Sequence, residues 1–161
     1  MSLNAEIQVL REIPFFAEIQ DSKLKLIAFA SQRLRFAPNE AIFEQGDATD
    51  SIYIIIEGEA DVVIRGTNGK RVKLATIGKN GIFGEIGVLC NMPRSATIVA
   101  KTELAAMKIE RTLFKQLLVD FPEIALAVMH ELSSRILRSD KFIAQVPSEQ
   151  AKAIFRRINE G

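Results

Sequence analysis

Between residues 33 and 110, apolar positions form short runs of strand length that turn-forming residues separate. The most apolar run, 51–57, is rich in β-branched side chains and predicts a strand buried on both faces. The run at 59–65 precedes Asn68-Gly69, a pair that readily adopts the positive φ angles of a hairpin turn. The other runs lie at 33–36, 41–44, 71–77, 96–101 and 104–109. At least seven such strands favour a β-sandwich or a β-barrel.

On both sides of this region, apolar residues recur at helical spacing. Residues 4–10 predict a short helix, and Asp21 or Ser22 can cap a second helix. Helical spacing resumes at residue 112, and Pro122 suits the first turn of a long helix because its φ is fixed. The chain is therefore expected to be an α+β protein with helices before and after its strands.

The long helix, at about residues 122–145, carries an apolar arc wider than packing on one face requires. A segment at about 148–158 follows and has an apolar side of its own. A protein in water rarely leaves such a patch exposed, so something is expected to cover it. Two arrangements remain open: the long helix pairs with a second copy of itself, or the final segment folds over it as a lid.

Composition narrows the class of protein. The 161 residues suit a single domain, 1–161, and a hydrophobic fraction of 48% is enough for a core. A net charge of +1 argues against a nucleic-acid-binding protein that depends on bulk positive charge. No apolar run is long enough to span a membrane. Cys90 is the single cysteine, which excludes an internal disulfide and favours a cytoplasmic protein.

Catalytic and metal chemistry receive little support from the residue types present. His130 is the single histidine, so a hydrolytic site lacks its base and a site of several imidazoles lacks its ligands. We expect His130 to be a solvent-exposed helix residue. Cys90 is interpreted as a small packing residue rather than a redox-sensitive thiol. The protein is therefore expected not to be an enzyme and to hold no metal and no cofactor.

One stretch, residues 83–97, combines turn, helix and charge signals. Gly84 and Gly87 allow the backbone to approach a ligand, and a helix beginning near Glu85 would direct free N–H groups at an anion. The planar guanidinium of Arg94 matches phosphate oxygens. Glu85 is ionised at neutral pH and can accept a hydrogen bond from a sugar hydroxyl. The stretch therefore predicts a site for a small phosphorylated sugar.

This stretch resembles the phosphate-binding cassette of the cyclic-nucleotide-binding domain family. That family includes the catabolite activator protein, the regulatory subunits of cyclic-AMP-dependent protein kinase and the cyclic-nucleotide-gated channels. The resembling residues are Phe83-Gly84-Glu85-Ile86-Gly87 and Pro93-Arg94-Ser95-Ala96. The resemblance extends from about Leu10 to Gln145. The alternative interpretation of the two charges is an ordinary surface ion pair between Glu85 and Arg94.

The resemblance implies a fold and a set of ligand contacts. The fold is an eight-stranded antiparallel β-roll of jelly-roll type at about 33–110, flanked by N-terminal helices and a C-terminal helix pair. Arg94 would hold the phosphate, and Glu85 would accept a hydrogen bond from the ribose 2′-hydroxyl. Cassette N–H groups would complete the phosphate site, and apolar strand residues would wall the base. The expected ligand-binding residues are Gly84, Glu85, Ile86, Arg94, Ser95, Ala96, Val62, Leu74 and Ser139.

The function that the resemblance implies is a regulatory sensor of a 3′,5′-cyclic nucleotide, with the C-terminal helices passing on its occupancy. Ser95 follows the arginine and lacks the methyl group of threonine, which favours cyclic AMP over cyclic GMP. The cassette looks most like that of the catabolite-activator branch, so a homodimer through residues 122–145 is favoured over the lid. A further effector domain or partner protein is also expected.

Two other functions stay open at this stage. The chain resembles the effector-binding part of a catabolite-activator-type transcription regulator. The residues after Gln145 are too few for a helix-turn-helix domain, so this chain is expected not to bind nucleic acid. The third function is an interaction module that has lost its ligand. That function ranks last because Glu85 and Arg94 are both retained.

Overall fold

The computed structural model describes residues 3–144 and residue 157. A compact unit extends to Asp120, and a second unit begins at Phe121; the expectation of a single domain stays a prediction. The elements are α1 (Leu3–Glu12), a 3-10 turn (Pro14–Phe16), α2 (Asp21–Ala30), β1 (Gln32–Phe36), β2 (Ala41–Phe43), β3 (Ser51–Glu57), β4 (Ala60–Arg65), β5 (Arg71–Ile77), β6 (Ile82–Phe83), α3 (Glu85–Cys90), β7 (Thr97–Ala100), β8 (Leu104–Glu110), α4 (Arg111–Asp120) and α5 (Pro122–Ala144).

Within the described residues, the eight strands form two four-stranded antiparallel sheets. Their strand orders are β1-β8-β3-β6 and β2-β7-β4-β5. The expected α+β fold with an eight-stranded antiparallel β-roll is confirmed. β3 is buried on both faces, as its unbroken apolar sequence predicts. The core cluster of the roll consists of Tyr53, Ile55, Ala60, Phe83, Ile98, Ala100, Leu104 and Ala106.

β6 is the strand that the apolar runs do not reveal, because it is only two residues long. It pairs with β3 through Tyr53 opposite Phe83 and Ile54 opposite Ile82. Phe83, the first residue of the cassette, therefore belongs to the core. This short pairing sets the starting position of the cassette against the most deeply buried strand of the roll.

The N-terminal helices are present, but the predicted cap of the second helix is wrong. The residue before α2 is Gln20, and neither it nor any other described residue supplies a side-chain cap there. Asp21 is already inside the helix, and its carboxylate pairs with the guanidinium of Arg11. Arg11 also donates to the carbonyls of Ala17 and Ile19, at 3.2 and 3.0 Å, and so links α1 to the start of α2.

α5 begins at Pro122, as predicted, and its described part ends at Ala144. Ile124 and Val128 are buried, whereas a second set of apolar side chains is exposed: Leu126, Met129, Ile136 and Leu137. His130 is exposed, as expected. The predicted lid at 148–158 lies outside the described residues, so neither covering arrangement is tested. Within residues 3–144 and 157, no helix has the length and apolar character that a membrane crossing needs.

Candidate functional site

The cassette turns sharply between β6 and α3. Gly84 precedes the helix with a φ of +85°, in the left-handed region that glycine adopts without strain. A Cβ atom at this position would lie 2.6 Å from Nη1 of Arg94, so a side chain there would displace the guanidinium. α3 starts at Glu85, and the N–H groups of its first turn have no acceptor within the helix. The sequence prediction of a helix starting at this carboxylate is confirmed.

The loop between β2 and β3 holds the cassette by hydrogen bonds. The amide of Gly46 donates to the carbonyl of Arg94 at 2.8 Å, and the amide of Arg94 donates to the carbonyl of Asp47 at 2.8 Å. The Thr49 hydroxyl donates to the carbonyl of Met92 at 2.6 Å. Backbone groups of both segments are thus satisfied by each other, which holds the C-terminal half of the cassette against the β2–β3 loop.

Gly87 shows how close this packing is. A Cβ atom on Gly87 would lie 2.3 Å from the Thr49 hydroxyl oxygen and 2.9 Å from the carbonyl oxygen of Met92. The sequence suggested that Gly87 leaves room for a ligand, but the structure places the Thr49 side chain against it. The absence of a side chain at Gly87 is therefore explained by contact between the cassette and the β2–β3 loop.

Arg94 is the centre of the site and is only 4% exposed. Its Nη1 donates to the carbonyl of Gly84 at 2.9 Å, and its Nη2 donates to the carbonyl of Ser51 at 2.8 Å. The guanidinium carbon lies 4.0 Å from the ring centroid of Phe43. Its contact with the carboxylate of Asp50 is longer, with Oδ1 3.7 Å from Nη2. Arg94 is therefore fixed by backbone carbonyls and an aromatic face rather than by a close ion pair.

Burial lowers the pKa of Arg94, and the nearby Tyr53, Asp50, Asp47 and Glu85 act in the opposite direction. An arginine side chain remains protonated in a protein despite such a shift. Its Nε is buried and has no hydrogen-bond partner among the described residues. A buried cation with an unmet donor is costly unless an acceptor or an anion reaches it. An anion that reaches Nε would meet this unsatisfied donor, so Arg94 is a candidate anion ligand.

Asp50 lies at the edge of this site with its side chain 72% exposed. The Ser51 hydroxyl donates to its Oδ1 at 2.8 Å and is the main cause that lowers the pKa of Asp50. Lys108, with Nζ 3.8 Å from Oδ2, and Arg94 lower it further, while partial burial opposes them. Asp50 is thus shared between two cations and only partly neutralises Arg94.

Glu85 is 1% exposed, which is unusual for a carboxylate and places it inside the site rather than on the surface. It lies in the first turn of α3, where the helix dipole favours a negative charge. Because Glu85 and Arg94 are both buried, the interpretation as a surface ion pair is wrong. The structure brings together Gly84, Glu85 and Arg94, with the exposed Ile86 and Ser95 and the half-buried Ala96 on the same cassette.

The residues expected to wall the base lie on β4 and β5. Val62 is half-buried and packs against the core cluster, whereas Leu74 is 57% exposed. The register of the two strands shifts between Val62 and Val63, whose partners are Ala75 and Lys73, so Leu74 is the extra residue of a bulge. Ser139 lies in α5, and its side chain falls outside the described part of the chain. Its proposed base contact therefore stays a prediction.

Sequence reasoning missed Phe43 in β2, Asp50 in the β2–β3 loop and Ser51 in β3, which all contact Arg94 from more than forty residues upstream. No local motif links them to the cassette, and the strand-length runs at 41–44 and 51–57 predicted strands without indicating which cassette residue they would contact. The interpretation of Cys90 as a packing residue is wrong, because its thiol is exposed at the end of α3. Among the described residues, no cluster of histidine, cysteine and carboxylate side chains could hold a metal ion.

Comparison with known proteins locates this site within a defined family model. The model described as the cyclic nucleotide-binding domain matches residues 33–121, which is more than half of the chain. The match begins in β1 and ends just after α4. It therefore contains both sheets, the β2–β3 loop and the whole cassette.

Several curated proteins and solved structures are similar to this chain. The CRP-like cAMP-activated global transcriptional regulator of Mycobacterium tuberculosis is 25% identical over 154 residues, covering 92% of this chain and 69% of the regulator. The cAMP-dependent protein kinase regulatory subunit of Blastocladiella emersonii is 32% identical over 109 residues, covering 68% of this chain but 27% of that protein. The regulatory subunit of a cAMP-independent protein kinase A from Trypanosoma brucei matches with a TM-score of 0.71 and 29% identity, over 86% of this chain and 51% of that one.

Proposed function

Because the chain belongs to the cyclic nucleotide-binding domain family, we propose that it binds cyclic AMP in preference to cyclic GMP and passes its occupancy to its C-terminal helices. The family is defined by a domain that binds cyclic nucleotides. The two curated relatives named above are regulatory proteins rather than enzymes. The choice of nucleotide, the residues that hold it and the transmission step are proposals that rest on the geometry of the site.

The observation that carries the proposal is the buried side chain of Arg94. Among the described residues, none accepts a hydrogen bond from its Nε. A cyclic nucleotide has one phosphate charge, which matches one buried guanidinium. Carbonyls of Gly84 and Ser51 already hold the two Nη atoms, so the guanidinium plane is set before ligand arrives. A phosphate oxygen that accepts from Nε would remove the unmet donor, and a charged hydrogen bond of this kind contributes about 1.5–3 kcal/mol.

The rest of the cassette supplies the other polar contacts of the proposed complex. First-turn N–H groups of α3, from Ile86 onward, and the amides of Ser95 and Ala96 are the further donors proposed for the phosphate. Glu85 is proposed to accept from the ribose 2′-hydroxyl, since a carboxylate is an acceptor only. With the phosphate and the ribose in these positions, Val62 and Leu74 are proposed to wall the base, and Ser139 to meet it.

The preference for cyclic AMP rests on Ser95 and on similarity. Ser95 is exposed beside Arg94 and has a hydroxyl without the additional methyl group of threonine. The M. tuberculosis regulator is described as cAMP-activated and the B. emersonii subunit as cAMP-dependent. Both observations favour adenine.

The cytoplasmic location inferred from composition stays a prediction.

Transmission is proposed to start in α3. Ile86, Leu89 and Met92 are exposed apolar residues of the cassette, so a shift of α3 around the phosphate would change what they contact. Leu117, buried in α4, and Leu113, half-buried beside it, are the proposed recipients. Ligand biases such a movement only if it binds the two arrangements with different affinity. The exposed apolar residues of α5 support the proposed homodimer through residues 122–145.

A second candidate function is the effector-binding part of a transcription regulator. The observation in its favour is that similarity to the M. tuberculosis regulator covers 92% of this chain, well beyond the residues of the family model. In that case the same site would bind the nucleotide, and a DNA-binding partner or domain would use the signal. The sensor function is common to both candidates, so its test comes first.

Calorimetric titration with cyclic AMP, cyclic GMP, 5′-AMP and adenosine tests the proposal directly. We expect the cyclic nucleotides to bind, with cyclic AMP tighter, and adenosine to fail because it has no anion for Arg94. Glu85→Gln should weaken binding of cyclic AMP more than binding of 2′-deoxy cyclic AMP, which never makes the proposed hydroxyl contact. Absence of heat with both cyclic nucleotides would contradict the function, and an equal loss for both sugars would contradict only the role of Glu85.

A further inference from the structure

We propose that Phe43 is a positioning residue of the anion site, and that its ring face sets the plane in which the Arg94 guanidinium meets the phosphate. The inference deepens the proposed function and rests on it. Phe43 belongs to the short strand β2, and the guanidinium carbon of Arg94 lies 4.0 Å from its ring centroid. That distance is well within the range of a cation–π contact.

Phe43 is itself held by an aromatic cluster, which consists of Phe43, Tyr53 and Phe83. Its ring centroid lies 5.9 Å from those of both neighbours, with tilts of 45° and 52°. Tyr53 and Phe83 are stacked at 5.1 Å with an interplanar angle of 8°. These two residues also pair across β3 and β6, so the support for Phe43 belongs to the core of the roll. The ring is therefore a rigid platform.

The remaining contacts of the guanidinium show what this platform does. Its Nη atoms donate to the carbonyls of Gly84 and Ser51, and its central carbon lies over the ring of Phe43. A ligand that satisfies the remaining donor must reach the edge that carries Nε, whose N–H lies in the guanidinium plane. In-plane approach is the geometry in which arginine binds phosphate through parallel hydrogen bonds. The platform thus selects the productive orientation before the ligand binds.

The strength of this contact depends on burial. A cation–π interaction is stronger when the cation is desolvated, and Arg94 is 4% exposed. Without the ring, the long Arg94 side chain would have more orientations in the free protein, and binding would have to order it. We expect Phe43→Leu to weaken cyclic AMP binding about three- to tenfold, the scale of such a contact.

The matched control is Phe36→Leu. Phe36 lies on β1, is partly buried and packs against the same core cluster as Phe43. Phe36→Leu therefore removes the same ring from the same core. We expect this variant to bind cyclic AMP as the parent protein does. Thermal unfolding of both variants reports their stability, so a loss of affinity at Phe43 can be separated from a general loss of packing.

A second measurement distinguishes the ring quadrupole from ring shape. Phenylalanine with one, two and three fluorine atoms keeps the shape of the ring nearly unchanged while it weakens the negative face. Introduced at position 43, the series should weaken cyclic AMP binding stepwise, whereas the same series at position 36 should not. A packing role for Phe43 predicts no trend in either series.

The outcomes separate the two proposals. If the unsubstituted protein binds no cyclic nucleotide, the proposed function fails and this inference fails with it. If the protein binds but the fluorinated series at position 43 is flat, or falls no more than the series at position 36, only the inference is overturned. A stepwise loss at position 43 alone supports it.

Discussion

The cassette and the β4–β5 hairpin are the two sides of the proposed ligand site, and they are built differently. In the cassette, Glu85 and Arg94 are buried, and backbone and side-chain hydrogen bonds tie residues 92–97 to the β2–β3 loop. In the hairpin, β5 is the edge strand of its sheet and is exposed from Arg71 to Thr76.

The charged contacts differ in the same way. Arg94 is desolvated and held by carbonyl groups at 2.8 and 2.9 Å. On the hairpin side, Arg71 lies 3.5 Å from Glu44 and Lys73 lies 3.5 Å from Asp61, and these partly exposed pairs contribute little. The structure therefore preorganises the proposed phosphate and ribose end, while the proposed base end is an exposed edge strand that carries both apolar and charged side chains. The difference explains why cyclic phosphate recognition is easier to infer than the choice of base.

The largest expected effect comes from removing the cation of the ordered side. Arg94→Ala should weaken cyclic AMP binding by at least about 1.5–3 kcal/mol, because it removes charged hydrogen bonds to the phosphate. It should also lower the melting temperature, since the carbonyls of Gly84 and Ser51 lose their donor. Calorimetry and thermal unfolding measure both effects. Arg35→Ala, at an exposed arginine of β1, is the control and should change neither the affinity nor the melting temperature. An unchanged affinity in Arg94→Ala would contradict the proposed anion site.

The next effect compares one methyl group on each side. Gly87→Ala places a Cβ atom against Thr49 and the Met92 carbonyl, so it should lower the free energy of unfolding by about 1–3 kcal/mol. Gly78 follows β5, and no described atom lies within 4 Å of a Cβ added there. Gly78→Ala should therefore change the free energy of unfolding by less than about 0.5 kcal/mol. Urea unfolding of the two variants measures the difference. Equal effects would remove the distinction between a packed side and an open one.

A smaller effect is expected on the open side. Leu74 is 57% exposed, so Leu74→Ala should leave the free energy of unfolding within about 0.5 kcal/mol of the parent. If Leu74 covers the base, the same change should cost about 1 kcal/mol of binding through lost apolar burial. Leu26→Ala, at an exposed leucine of α2, is the matched control. A titration in which both variants bind like the parent would exclude Leu74 from the base site.

The smallest effect concerns Asp50 and pH. Its pKa is lowered in the folded protein, so its charge stabilises the fold above the unfolded pKa of about 3.9, and this contribution disappears as pH falls through the lower folded pKa. The side chain is mostly exposed, so Asp50→Asn should cost less than about 1 kcal/mol near neutral pH. The difference between parent and variant should shrink as pH falls below the unfolded pKa and close once pH lies below the folded pKa. Urea unfolding across pH 2–7 measures it, and a gap that widens on acidification would have the wrong sign.

Much of the fold could be predicted from the chain because the signals are local. The unbroken apolar run of β3, the Asn68-Gly69 turn and Pro122 each act within a few residues of themselves, and their elements are where they were expected. Predictions failed where the outcome depends on packing beyond the local segment. Asp21 or Ser22 was expected to cap α2, but Asp21 lies inside the helix and pairs with Arg11. Cys90 was expected to pack but is exposed. β6 was missed because two residues carry no periodicity.

The sequence by itself determined the charges and turns of the cassette, since the spacing of Gly84, Glu85 and Arg94 is a property of one continuous segment. It could not determine what surrounds Arg94, because β2 and β3 bring Phe43 and Ser51 to the guanidinium from across the roll. The desolvation of Arg94, its contact with the Phe43 ring and the unmet donor at its Nε all depend on those distant contacts. Residue type made Arg94 a candidate anion ligand, whereas tertiary packing decided that its guanidinium is buried with one donor unmet, the state on which the proposed phosphate contact rests.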